Sequence, residues 1–345
     1  MLNIKWRILW LVSLGTLIVL VSSCNSESQR QEKQETLPKL SVGIQVSPAM
    51  TLVMVAEDKH YFDSAGVDVE IKEFTAGKFA LQAFLGGSLD VAISGEVPVT
   101  LSTLRGEKFR VIGQVVERTI NECRVVVRKE EGLLMPRDYF LAKKRKLATS
   151  FGGGPEFYTY NFLKKNNIPA DQVELISQKP EDMPAALVSG SVDAISIFDP
   201  QAFQAEQRMG DAGLSFKDDE IYSELYVIDV REEKLAEKSA ELQALLQGLH
   251  DAEDFIEQYP EEAKAILMKY TQLDKETVDG VWDNFVFKVA INDLFINYTT
   301  AQAKWAIEKG DYPQETPIPD FRTVLATDLL QQVDAQAVAL SDSLK

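Results

Sequence analysis

Residues 86–98 read GGSLDVAISGEVP, and residues 189–200 read SGSVDAISIFDP. Laid over one another, Ala83 falls on Ala186, Gly87 on Gly190, Ser88 on Ser191, Leu89 on Val192 and Asp90 on Asp193. The acid beyond the apolar run follows the same alignment, Glu96 matching Asp199. Each copy closes a helix on a glycine, the residue that tolerates the left-handed conformation of a helix C-terminus. An acid then leads into a short apolar strand, and Pro98 or Pro200 suits the first turn of the next helix. One α/β unit is written twice. The chain is therefore expected to build two similar lobes whose strand ends face a common crevice.

The flanking sequence alternates in the same way. KLSVGIQV (39–46), VDVEIKEF (67–74) and FRVIGQVV (109–116) have strand character, separated by helical spacing in MTLVMVAEDKHYF (50–62) and KFALQAFLGG (78–87). A second series runs from CRVVVRKE (123–130) through KLATSF (146–151), EFYTYNFLKKN (156–166) and QVELIS (172–177), and closes on LSFKD (214–218) and LYVIDVRE (225–232). Strands alternating with helices indicate βαβ units and mostly parallel sheets flanked by helices. Beyond residue 232 no strand is evident, and ETVDGVWDNFVFKVAI (276–291) reads as part of a helical C-terminal tail.

The first forty residues carry a different message. Lys5 and Arg7 precede an apolar run from Ile8 to Val21, followed by Ser22, Ser23 and Cys24. A basic start, a short apolar core and small residues before a cut describe a secretory signal rather than a spanning helix. Ending at cysteine, it resembles the bacterial lipoprotein cleavage site, which implies a lipid on Cys24 as first residue of the mature chain. Residues 1–23 are thus read as signal, and polar 24–38 as a flexible tether. A formal net charge of −17 argues against nucleic acid as partner. Cys123, the other of the two cysteines, sits in a strand-like run and reads as a buried thiol, with no disulfide framework.

Three stretches carry a family likeness: AGVDVEIKEFTAGKFALQAFLGGSLDVAISGEVP (65–98), KLATSFGGGPEFYTYNFLKKNNIPADQVELI (146–176) and AALVSGSVDAISIFDPQAFQAE (185–206), with DAEDFIEQYPEEAKAIL (251–267) in support. From about Leu40 to Tyr270 the chain resembles the solute-binding proteins of ABC importers, in the group that takes alkanesulfonates, taurine, nitrate or thiamine-precursor pyrimidines. The resemblance implies a two-lobed periplasmic-binding-protein-like α/β fold, lobe two being inserted in lobe one. It maps lobe one to 39–122 plus 229–345 and lobe two to 123–228. One departure is DYFLAKKRK (138–146), where the family carries a shorter turn; Lys143–Lys146 reads as a solvated turn.

The same resemblance places four loops at the crevice: Gln45 and Ser47 after the first strand, Gly95 with Glu96, the run Gly152, Gly153 and Gly154, and Asp199. Glycine backbone N–H groups at a helix start approach ligand oxygens closely and favour negative charge. Arg118 and Asn121, beside the first crossing between lobes, are alternative anion partners. Glu96 and Asp199 would bring two carboxylates to opposite walls, which favours a solute with positive charge or several N–H donors, such as a taurine-like zwitterion or an aminopyrimidine. Asp199 before Pro200 is equally explained as a helix cap.

The expected activity is capture of a small polar organic solute by lobe closure, and delivery to an ABC permease. The protein is expected at the extracytoplasmic face, lipid-anchored and monomeric, without cofactor or metal. Only two histidines are present, and no HExxH, GxSxG or Walker loop occurs. The other readings are a lipoprotein sensor or adhesin that binds a protein partner, and an enzyme of the thiamine-pyrimidine type, which relies on a cysteine cluster this chain lacks.

Overall fold

Apolar runs bounded by glycine and acid become buried parallel strands, and the intervening 3.6-period segments cover them. A computed structural model describes residues 36–117 and 123–341. The expected signal, Cys24, most of the tether, Arg118 and Asn121 lie outside the described residues. Among the described residues, no helix is long and apolar enough to cross a membrane.

The first series gives β1 (Lys39–Gln45), α1 (Thr51–Asp58), α2 (Tyr61–Ala65), β2 (Asp68–Phe74), α3 (Gly77–Leu85), β3 (Val91–Gly95), α4 (Glu96–Leu104) and β4 (Arg110–Glu117). The second gives β5 (Arg124–Arg128), α5 (Pro136–Leu141), β6 (Arg145–Thr149), α6 (Gly154–Lys165), β7 (Val173–Ser177), α7 (Met183–Ser189), β8 (Ala194–Ile197), α8 (Gln201–Met209) and β9 (Gly213–Phe216). The chain then adds β10 (Tyr226–Val230), α9 (Glu232–Glu237), α10 (Ser239–Gln258), α11 (Pro260–Thr271), α12 (Lys275–Val281), β11 (Val286–Asn292), α13 (Asp293–Glu308), α14 (Asp328–Val333) and β12 (Val338–Ala339).

Two sheets result. One has the order β12-β11-β4-β10-β3-β1-β2, the other β7-β6-β8-β5-β9. Pairing is parallel within each βαβ series, at β1–β2, β1–β3, β6–β7 and β6–β8. It is antiparallel where the chain leaves or returns, at β10–β3, β10–β4, β5–β8 and β5–β9. Each sheet is thus mixed, and the larger one also ends on a parallel pair, β11–β12, at its far edge. The segment 123–228 holds the whole five-stranded sheet and the first residues of β10, which already belongs to the larger sheet.

The repeat is visible in backbone geometry. Gly87 and Gly190 both adopt positive φ, at 90° and 80°. Asp90 Oδ2 accepts the N–H of Ser41 at 3.0 Å, and Asp193 Oδ2 accepts that of Lys146 at 2.8 Å. Each acid pins the start of one parallel strand to the start of its neighbour.

The tail differs from its sequence reading. Residues 286–292 form β11, which pairs Phe287 with Val116 of β4 and extends the larger sheet. Apolar V-F-x-V-A-I fits a helix stripe locally, and only the exposed edge of β4 makes it a strand. Arg145 also departs from expectation. It lies fully buried, its guanidinium 3.9 Å from the Tyr139 ring and hydrogen-bonded through two nitrogens to Glu130. The basic run is therefore a solvated turn only around this one inward residue.

The larger lobe has its own core, centred on Val42, Ile93, Ile112 and Ile228. A second core gathers lobe-two residues such as Val126, Tyr158 and Ile195, but includes Val97 and Leu101 of α4 and Trp305 and Ala306 of α13. Phe157 at the start of α6 meets Trp305 edge-on at 5.3 Å and Tyr222 at 5.1 Å. Apolar packing therefore runs across the boundary between the lobes and fixes how the start of α6 faces the start of α4.

Candidate functional site

Two helix starts meet at that boundary. Gly95 caps α4 from the larger lobe, and Gly153 caps α6 from the smaller one. A narrow cavity of about 20 Å³ between them is lined by Gln45, Gly95, Gly153, Gly154, Glu224 and Tyr226, among others. That is room for roughly one water. The carboxylate of Glu224 lies in this seam. Its Oε1 lies 2.8 Å from where a Cβ on Gly95 would stand and 2.6 Å from a Cβ on Gly154. One oxygen thus rests against glycines of both lobes, and any side chain at either position would collide with it.

Of the residues singled out by sequence, Gln45, Gly95, Gly153 and Gly154 come together here. Gln45 is buried, its Oε1 accepting the N–H of Gly77 at 3.0 Å. Ser47 lies buried just beyond β1, outside the residues that line this cavity, with no hydrogen-bond partner for Oγ among the described residues. Gly152 faces the neighbouring cavity instead, and its N–H donates to Glu156 Oε2 at 2.7 Å. That loop amide is spent on the loop's own acid, which Lys309 of the tail also engages.

Glu96 and Asp199 do not form a pair of open carboxylates. Glu96 is fully buried. It accepts the N–H of Leu225 through Oε2 and the Nε2 of Gln302 through Oε1, both at 2.7 Å. Burial pushes its pKa from 4.5 up to about 7. Asp199 is buried in lobe two and meets Arg124 at 2.9 Å through both oxygens. It also accepts Asn284 Nδ2 at 2.9 Å and the N–H of Phe203 at 3.1 Å, which caps α8. Arg124 turns its other edge to Glu206, with Nε–Oε1 at 2.6 Å. Both acids are committed to partners within the protein.

Sequence reasoning missed Glu224, Tyr222 and Lys78. Tyr222 is buried, and burial, then Glu224 and Glu96, hold its hydroxyl pKa well above the ordinary value. Nothing in YSELYV (222–227) marks it locally. Lys78 left a trace: a cation in the first turn of α3 opposes the helix dipole. Its Nζ crosses to lobe two, donating to the Phe151 carbonyl at 2.7 Å and Ser150 Oγ at 3.0 Å. Beside it, a second cavity of about 180 Å³ is lined by Lys78, Phe79, Gln82, Arg105, Phe151 and Gly152, among others. Among the described residues, no His, Cys, Asp and Glu group could hold a metal.

Two sheets in these strand orders, with glycine-capped helices meeting at the seam, define the two-lobed periplasmic-binding-protein fold. Residues 47–263 match the family model described as NMT1/THI5 like, and the chain belongs to that family. The structure is similar to the aliphatic sulphonate-binding protein SsuA from Escherichia coli, at a TM-score of 0.70 and 19% identity over 84% of this chain and 97% of that one. It is also similar to the nitrate-binding protein NrtA from Synechocystis, at a TM-score of 0.69 and 14% identity over 87% and 89%. A Bacillus subtilis (strain 168) protein, provisionally described as binding aliphatic sulfonates, is 24% identical over 79% of this chain and 82% of its own length.

Proposed function

We propose that the chain is an extracytoplasmic solute-binding lipoprotein that closes its lobes on a small polar organic solute and passes it to an ABC permease. The single observation that carries this reading is the seam itself, where helix starts from both lobes meet across one side chain in a space too small for a solute. Entry then requires the lobes to part, and a solute that bridges them favours closure. Sulfonate- and nitrate-binding proteins of the same fold support small-solute capture over catalysis. In the same reading, residues 39–122 plus 229–345 form lobe one, and lipid on Cys24 holds a monomer near its permease. Capture at micromolar concentration needs only about 8 kcal/mol.

The test is thermal denaturation of the purified protein with millimolar alkanesulfonates, aminosulfonates, aminopyrimidines and nitrate, read with intrinsic fluorescence from Trp305 at the boundary. At least one class should raise Tm by several degrees and shift the emission. A flat response across the whole panel would remove the solute-binding reading.

A further inference from the structure

We propose that Glu224 sets the charge class of the solute: its carboxylate receives an N–H-donating head, of ammonium or amidine type, while any acidic group of the solute goes to Lys78 and Arg105. The inference rests on the solute-binding reading and deepens it.

The position of the carboxylate carries the first half. Two helix starts, one from each lobe, make the seam a natural seat for an anion. That seat already holds an acid, since Glu224 Oε1 lies over Gly95 and Gly154 together. Buried Glu96 stands immediately beside it as first residue of α4. A sulfonate or carboxylate entering the seam would bring acceptor oxygens against the acceptor oxygen of Glu224. A donor head meets an acceptor fixed between the two lobes, so binding it joins them. The glycines are part of the same device, because only residues without a Cβ leave room for the carboxylate.

The second half is carried by the adjoining cavity. Lys78 and Pro98 line both spaces, so the two adjoin. Its lining places two cations, Lys78 and Arg105, among apolar walls of Phe79, Leu85 and Leu101, and includes no acid. Lys78 already spans from α3 to the loop before α6. An acidic group there would meet Lys78, which also lines the seam, and Arg105, which does not. Glu224 lines only the seam and Arg105 only the second cavity, so acid and base are offered to different parts of a solute.

Calorimetric titration with matched two-carbon probes reads both halves. The probes are ethanesulfonate, taurine and ethanolamine, extended to an aminopyrimidine. The unmodified protein should bind taurine at least tenfold more tightly than ethanesulfonate, and Glu224→Gln should cut that preference at least tenfold. Lys78→Met, at a half-exposed position, should weaken taurine about tenfold and leave ethanolamine within twofold. Binding with no preference for the amine, or a preference that Glu224→Gln leaves intact, overturns this inference while solute binding stands. Silence from every probe and from the wider denaturation panel overturns both.

Discussion

Glu96 and Asp199 occupy matching stations in the two lobes, yet the protein treats them in opposite ways. Glu96 is a buried acid held by neutral donors, and burial raises its pKa to about 7. Asp199 is a buried carboxylate held by a guanidinium. Asp90 and Asp193, a few residues earlier in each copy, behave alike, each accepting a backbone N–H from the neighbouring parallel strand. The difference lies in where the partners come from. The backbone partners of Asp90 and Asp193 come from the neighbouring parallel strand of the same βαβ series and are inherited with it. Side-chain partners such as Arg124, Gln302 and Asn284 come from outside the unit. A repeat therefore reproduces the position of an acid without reproducing its electrostatic use.

Removing Arg124 should break the contrast most severely. Burial alone would lower the Arg124 pKa, but Asp199 and Glu206 more than reverse this and hold it above its ordinary value. Arg124→Met leaves Asp199 buried with Asn284 and one backbone N–H. Stripping one partner from a buried pair typically costs about 3–5 kcal/mol. Urea unfolding at pH 7 should show a loss in that range, and a loss below about 1 kcal/mol would show that Asp199 does not depend on its arginine.

Glu96→Gln should sharpen the contrast through pH. Between pH 4.5 and about 7 the folded protein keeps a proton on Glu96 that the unfolded chain has released. Stability from this group is therefore full below pH 4.5 and is lost as pH rises through 7, by about 3 kcal/mol at roughly 1.4 kcal/mol per unit. Buried Asp229, which accepts the Ser94 hydroxyl, is raised by burial and acts with the same sign. Only the difference between the unmodified and Glu96→Gln curves isolates Glu96. That difference should slope across pH 4.5–7 and flatten outside it. A flat difference throughout would mean that Glu96 is ionised like an exposed acid.

Much of the framework was legible because it is local. Glycine, acid, apolar run and proline recur in both copies, and the parallel strands follow from them. Gln45, Gly95, Gly153 and Gly154 were reachable for the same reason, as loop residues at strand ends. Glu224 was not, because its importance comes from two glycines far away in sequence that leave space for it. Arg124 was read only as part of an apolar strand, although an arginine opening a buried run demands an acidic partner. β11 was invisible because an edge strand takes its identity from β4, to which it adds hydrogen bonds. What depends on long-range partners escapes a reading built on periodicity.

Asn284 offers the finest test of how Asp199 is held. It lies between α12 and β11, in the tail that completes the larger sheet, and donates to Asp199 Oδ2 across to lobe two. Next to it, a Cβ on Gly280 would stand 2.5 Å from the Phe203 ring, so the tail and α8 are in close contact here. With Arg124 still in place, losing one neutral donor at a half-buried position should cost about 1 kcal/mol. Asn284→Ala is thus expected to lower stability by a fraction of what Arg124→Met does, measured in the same urea series. Equal losses would reverse the assignment: the lobe-one tail, rather than the arginine of its own lobe, would be what holds Asp199 in place.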